Sequence, residues 1–538
     1  MQASFPAGLM APRDRQFPIH GGPRPHRESQ ASAMTTTPVP SPSPVAPITS
    51  QPEPDSRRKL GYLLLALGLY ALVLALPAPA GLSPSGQVAL GLLVLVVTLW
   101  ISECVSPANS AVLLTGMAVV GLMGKPLTPG AKPMGSADAL TVMLGGFSST
   151  AVLLVAAALF LAVALKHTGL DRRVALLVMS RVGISPARLT LGAMLVGFVL
   201  ALFIPSATAR VGAVIPIMVG ITAALGLPVG SSLGATLMIV TAQACSIFNI
   251  AVKTGAAQNL ISLNFMQGAF GHGVTWGQWF LAALPFTIGM SVVLFFVSLW
   301  LLRPQVPDAE GAAGNLRQQL RAVGPVSAPE KRLIAVALLL LVLWSTEGTL
   351  HPFDTTTTTQ LGIALLLMPR IGVMHWAQAE KLVPWGTVVL FAASISLGTL
   401  LQRTGAAGWL AQQTLGQLGL AALPVVSVIG ALAVFSIVLH LGFASATGLA
   451  STLIPIFIAF VQTLPVSKET AFGIVLVQSF VVSFGFILPT NAPQNMLCYG
   501  TGAFGTMQFA KVGLVVTLAG LALILLLSAT LWPWMGVL

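Results

Sequence analysis

The chain has 538 residues, of which 55% are hydrophobic and only 7% charged, against roughly 25% charged residues in a soluble domain. That composition excludes a soluble enzyme or binding module and makes the chain an all-α polytopic membrane protein, since a backbone in lipid must satisfy its own polar groups. The net charge of +12 would suggest nucleic acid in a soluble protein, but here Lys and Arg collect in loops, where they bias orientation, so no nucleic-acid partner is expected.

Residues 1–56 are rich in proline, serine and threonine and contain no long apolar run. They read as a disordered cytoplasmic tail rather than a signal peptide, which needs an apolar core segment. Translation is expected to start at Met34. Arg57-Arg58-Lys59 then precede the apolar run 60–76 and place the N-terminus in the cytoplasm, the chain sitting in a bacterial inner membrane. Residues 57–135 supply three unbroken scaffold segments, at 60–80, 88–100 and 111–123. A first transport repeat follows at 136–270, then further scaffold with a charged loop at 271–382, a second repeat at 383–505 and a C-terminal helix at 506–538. The hydrophobic length suits about 11 spans at roughly 20 residues each, with the lipid bilayer as the partner of their outer faces.

The repeats are visible in their polar breaks. Pro205-Ser206-Ala207-Thr208-Ala209-Arg210, with Ile215-Pro216-Ile217 after it, recurs as Ala444-Ser445-Ala446-Thr447, with Ile454-Pro455-Ile456 after it. Gly255-Ala256-Ala257-Gln258-Asn259 recurs in the same order, at nearly the same offset, as Asn491-Ala492-Pro493-Gln494-Asn495. Each unit reads as a span closing on Thr-Gly (Thr168-Gly169, Thr404-Gly405), a re-entrant hairpin with Ser-Ala-Thr at its tip, and a helix broken at the Gln-Asn loop. Lys166, Arg172, Arg173, Arg181 and Arg188 mark one loop region as cytoplasmic, whereas the equivalent stretch 404–423 has no Lys or Arg. The halves therefore read as inverted repeats.

Such interruptions are tolerated in lipid only where protein packs on them or a watery cavity meets them. A Ser or Thr opening a half-helix caps free N–H groups, and aligned peptide dipoles leave partial positive charge there, so the terminus attracts an anion. Two such tips, one per repeat, suit the two ends of a small dianion. The expected substrate contacts are Ser206, Ala207, Thr208, Ser445, Ala446 and Thr447 at the tips, Arg210 just past the first tip, and Asn259, Pro493 and Asn495 in the loops. Arg210 and Lys253, in apolar surroundings, favour an anionic solute; His440 precedes the second break and reads equally as packing or site residue. Glu103 and Glu347 read as peripheral, so a carboxylate proton relay lacks support. Cys104, Cys245 and Cys498 have no paired spacing and imply neither disulfide nor metal motif. No catalytic constellation appears in the repeats, so the chain reads as a transporter and not an enzyme.

At these residues the chain resembles the divalent anion/sodium symporter family, which includes bacterial dicarboxylate and tricarboxylate transporters and sodium/sulfate symporters. The resemblance covers roughly residues 60–538: the family's hairpin-tip Ser-Asn-Thr matches Ser206-Ala207-Thr208 and Ser445-Ala446-Thr447, its loop motif matches 255–259 and 488–495, and Trp385-Gly386-Thr387 also looks like the family. It implies a homodimer held by a scaffold domain, with a transport domain that moves like an elevator and binds substrate between the tips. It implies no cofactor beyond sodium, at one site formed by Ser206, Ala207 and Gly255 and another by Ala444, Ala446 and Asn491. Ala207 and Ala446 depart from the family's asparagines, which puts sodium coupling in doubt, and Asn491 adds an oxygen. Thr208-Ala209-Arg210 is similar to exchanger-type members, where a fixed positive charge stands in for a bound cation. Symport and exchange of a divalent anion both stay open, with a channel or membrane-embedded enzyme as alternatives.

Overall fold

The computed structural model describes residues 56–306, 314 and 318–538; the expected tail up to residue 55, with Met34, lies outside the described residues. These residues form helices and no β-strand. α1 (Ser56–Ala75), α2 (Pro84–Ser102) and α3 (Pro107–Leu122) come first, with α2 packed on both neighbours. Ser83 and Ser106 accept from the N–H groups of Gly86 and Asn109, and the proline after each cap starts the helix where no N–H partner is needed.

The first repeat comprises α4 (Ser136–Leu144), α5 (Thr150–Thr168), α6 (Leu170–Val182), α7 (Pro186–Ala201), α8 (Ala207–Ala224), α9 (Ser232–Ala251) and α10 (Ala257–Phe270). Then come α11 (Trp276–Leu302), α12 (Ala328–Ser345), α13 (Thr355–Leu367) and α14 (Trp376–Leu382). The second repeat follows with α15 (Trp385–Arg403), α16 (Ala406–Thr414), α17 (Val425–His440), α18 (Ala446–Val461), α19 (Lys468–Val481) and α20 (Pro493–Tyr499), and the chain closes with α21 (Thr506–Ala529) and α22 (Leu531–Trp534). Eight described helices are long and apolar enough to cross a membrane; the four shorter apolar ones include three of the four hairpin arms, α7, α17 and α18. α12 and α13 fall outside both groups because α12 opens on Glu330-Lys331-Arg332 and α13 has only 13 residues starting with five threonines.

The expected architecture of each repeat is present. Gly169 and Gly405 take the left-handed conformation at φ 73° and 76° and turn the chain out of α5 and α15. α7 and α8 form one hairpin, α17 and α18 the other, and each distal arm carries its proline inside the helix, Pro216 and Pro455. α6 is too polar to enter lipid. Arg173 on it donates to Glu330 at 2.6 Å and to the Gly324 and Pro325 carbonyls, which pins α6 to the start of α12.

The repeats exchange their last elements. α10, from the first repeat, packs against α18 and α19 of the second, and α20, from the second, packs against α8 and α9 of the first. Every residue of α9 after Ser232 is buried. This crossing brings both hairpin tips and both loop breaks to one place.

Candidate solute-binding site

Four helices begin at a single cavity of about 550 Å³: α8 at Ser206 to Thr208, α18 at Ser445 to Gly448, α10 at Ala256 to Gln258 and α20 at Ala492 to Gln494. The hairpin starts are near copies. Ser206 sits at φ −127°, ψ 112° and its hydroxyl accepts from Ala209 N–H at 3.3 Å; Ser445 sits at φ −145°, ψ 116° and accepts from Gly448 N–H at 3.3 Å. Thr208 and Thr447, two residues on, line the cavity, and their hydroxyls donate to no described residue. α10 and α20 begin instead at Ala256 and Ala492, with no side-chain cap. The first N–H groups of α10 and the Gln494 N–H of α20, whose first residue Pro493 has none, are left for whatever fills the cavity, and the dipole of the α10 start favours negative charge there.

Of the residues singled out in the sequence, Ser206, Ala207, Thr208, Ala444, Ser445, Ala446, Thr447 and Pro493 line this cavity. Arg210, Asn259, Asn495, Gly255 and Asn491 do not; they lie in the layer behind it. The cause is the backbone. Unwinding a helix leaves carbonyls without N–H partners, and buried carbonyls must find donors elsewhere. Arg210, fully buried, supplies several: its guanidinium donates to the carbonyls of Ile204 (2.9 Å), Gly255 (3.1 Å) and Cys245 (3.2 Å), and to Asn249 Oδ1. Asn259 Nδ2 donates to the carbonyls of Asn249 (2.7 Å) and Val252 (3.0 Å), and Asn495 Nδ2 repeats this on Gly485 (2.8 Å) and Leu488 (3.4 Å).

These bonds bear on the sodium sites that the resemblance implies. Sodium would need oxygens from a hairpin tip and its loop. In the first repeat the tip carbonyl of Ile204 and the loop carbonyl of Gly255 both accept from Arg210. In the second, the side chain of Asn491 donates to the carbonyls of His440 (2.6 Å) and Phe443 (3.5 Å), and its own carbonyl faces His440 Nε2 at 3.3 Å. Ala207 and Ala446 add no side-chain oxygen. Of the residues that the resemblance implies for sodium, Gly255 thus has its carbonyl held by a guanidinium N–H and Asn491 has its carbonyl facing the His440 ring nitrogen.

Two expectations about carboxylates need correction. Glu103 lines the cavity, with Lys59, because the chain leaves α2 in a left-handed turn there, φ 48°. Glu347 is tied to the first repeat: it lies 3.6 Å from Lys253 Nζ and accepts from Trp276 N–H at 2.8 Å. Lys253 accordingly points away from the cavity, and its ammonium also reaches Thr355 at 3.2 Å. His440, buried, lines the cavity. Asn249, which links the cavity wall to Arg210, went unnoticed in the sequence because nothing repeats around it.

A family model described as the sodium:sulfate symporter transmembrane region matches residues 57–538. The chain is 46% identical over 476 residues to a membrane protein of Cupriavidus necator, across 88% of this chain and 92% of that one. It is 27% identical over 489 residues to the L-tartrate/succinate antiporter of Escherichia coli strain K12, across 88% and 97% of the two chains. Among solved structures, the YdaH transporter of Alcanivorax borkumensis, described as having an unusual topology, matches in fold with a TM-score of 0.51 at 15% identity, over 79% of this chain and 98% of that one.

Proposed function

The chain belongs to the sodium:sulfate symporter transmembrane region family, a transporter and not an enzyme, and from that premise we propose that it exchanges small organic dianions, dicarboxylates of the succinate and tartrate kind, across a bacterial inner membrane. The observation that carries this reading is the convergence of four half-helix starts, drawn from both repeats, on one cavity lined by Ser206, Thr208, Ser445 and Thr447. Each tip offers hydroxyl and N–H donors to one carboxylate, and Arg210 lies just behind the first tip with a charge that no acidic side chain among the described residues pairs. Exchange rather than sodium symport is favoured because Arg210 places a fixed positive charge behind the first tip and holds the Gly255 carbonyl. The antiporter named above supports the same choice.

The N-terminus is cytoplasmic in this reading, by the basic residues ahead of α1. Lys59 lines the cavity, so the conformation faces the cytoplasm. Movement of the two repeats against scaffold α1 to α3 and α11 to α14, elevator fashion and in a homodimer, would carry the cavity to the other side.

The test is counterflow in proteoliposomes. Uptake of labelled succinate should require internal unlabelled dianion and stay within twofold when sodium is replaced by choline. Sodium-driven net uptake into empty vesicles would overturn the exchange reading, and uptake of sulfate alone would overturn the dicarboxylate. Thr208→Val and Thr447→Val each remove one donor of about 1 to 1.5 kcal/mol, so each should raise apparent KM about tenfold. Unchanged kinetics in both would assign these threonines to packing.

A further inference from the structure

Gln258 and Gln494 are the second residues of α10 and α20, hold equivalent places in the two repeats, and both line the cavity while being only 5% and 7% exposed. Each reaches into the opposite repeat. Gln258 Nε2 donates to Ser483 Oγ at 3.1 Å, and Gln494 Nε2 donates to Ser246 Oγ at 3.0 Å. The second bond fixes the amide's direction, because the Ser246 hydroxyl already gives its proton to the Ala242 carbonyl, at 3.3 Å, and must accept from the glutamine. Neither glutamine Oε1 accepts a hydrogen bond from a described residue, and neither is sealed in as Asn259 Oδ1 and Asn495 Oδ1 are.

The cavity wall therefore presents two amide oxygens among its anion-attracting helix starts. A carboxylate has only acceptors and gains nothing from them. A methylene gains nothing either. A hydroxyl on the carbons between two carboxylates would donate to an amide oxygen that the filled site otherwise leaves unpaired, and sites built to bond a hydroxyl reject analogues that lack it. We propose that Gln258 and Gln494 are the specificity residues of this site and that its preferred substrates are hydroxylated four-carbon dicarboxylates rather than unsubstituted ones. The assignment rests on the dianion-exchange reading above.

The test begins with the unmodified protein in proteoliposomes loaded with succinate, comparing external succinate, malate and tartrate. The apparent KM of the better hydroxy acid should lie at least tenfold below that of succinate. Gln258→Met and Gln494→Met, which keep length but remove the acceptor, should each shrink this ratio at least fivefold. Equal KM values for succinate and the hydroxy acids in the unmodified protein would overturn the proposal whether or not the variants fold, and so would a ratio that survives in both variants. Succinate exchange without hydroxyl preference sinks this inference alone, whereas absence of exchange with every dianion sinks the exchange reading and this inference with it.

Discussion

Arg210→Met is expected to abolish dianion exchange and to destabilise the fold by about 1 to 3 kcal/mol, the cost of leaving buried neutral acceptors without their donor. The methionine fills much of the space but leaves the carbonyls of Ile204 and Gly255 and the Asn249 amide oxygen without this donor, while the Cys245 carbonyl keeps its partner inside α9. Loss of the charge also removes the positive potential behind the first tip, where one end of the dianion sits in our reading. Arg210→Lys keeps the charge, but a compact ammonium with three donors cannot replace a planar fork spread over several oxygens. It should fold better than the methionine variant and still exchange at least tenfold more slowly. Arg210→Ala separates the staple from the site. If the guanidinium occupies the place of a cation, sodium should raise the melting temperature of this variant, where potassium and choline do not. Full counterflow in Arg210→Met would remove Arg210 from the function.

The order of elements was legible because lipid permits so few sequences. Ser, Thr, Gly and Pro inside apolar runs have few explanations, and their repetition in register, Ser206-Ala207-Thr208 with Ser445-Ala446-Thr447, singled out hairpins and broken helices correctly. Depth was not legible. Arg210 follows the first tip in sequence, yet the two residues that separate it from Thr208 turn its side chain to the far side of α8 from the cavity, toward Cys245 and Gly255. Asn259 and Asn495 were expected at the solute for their polarity, while the carbonyls freed by unwinding draw their amide groups inward. Pairings between the repeats, Gln258 with Ser483 and Gln494 with Ser246, leave no local signal, because they depend on α10 and α20 changing places. Glu103 and Glu347 looked peripheral for a similar reason: each is remote from the repeats along the chain and close in space, one on the cavity wall and one beside Lys253.

Gly513→Ala is expected to have the second large effect, although it lies on α21 and does not line the cavity. A Cβ at this position would stand 1.9 Å from Phe486 O, 2.6 Å from Phe486 C and 2.9 Å from Ile487 Cα, all backbone atoms of the second break. Small residues allow this approach of helix to backbone in membrane proteins, and a methyl group forces the two apart. The break cannot yield freely. Gln243 Nε2 holds Phe486 O at 3.3 Å, Asn495 Nδ2 holds the Gly485 and Leu488 carbonyls, and Leu488 N–H donates to Asn491 Oδ1 at 2.9 Å. Displacement at Phe486 therefore carries to Gly485 on one side and to Ala492, Pro493 and Gln494 on the other, all on the cavity wall. Overpacking of this kind costs about 1 to 3 kcal/mol. Counterflow should fall more than tenfold, because the start of α20 and the Gln494 amide shift together. The control is Gly68→Ala in α1, where an added Cβ meets nothing within 4 Å, and where stability should hold or rise by up to about 1 kcal/mol from helix propensity. Thermal melting and counterflow measured on both variants decide the matter: a Gly513→Ala protein that melts and exchanges like the unmodified one would mean that α21 does not position the second break.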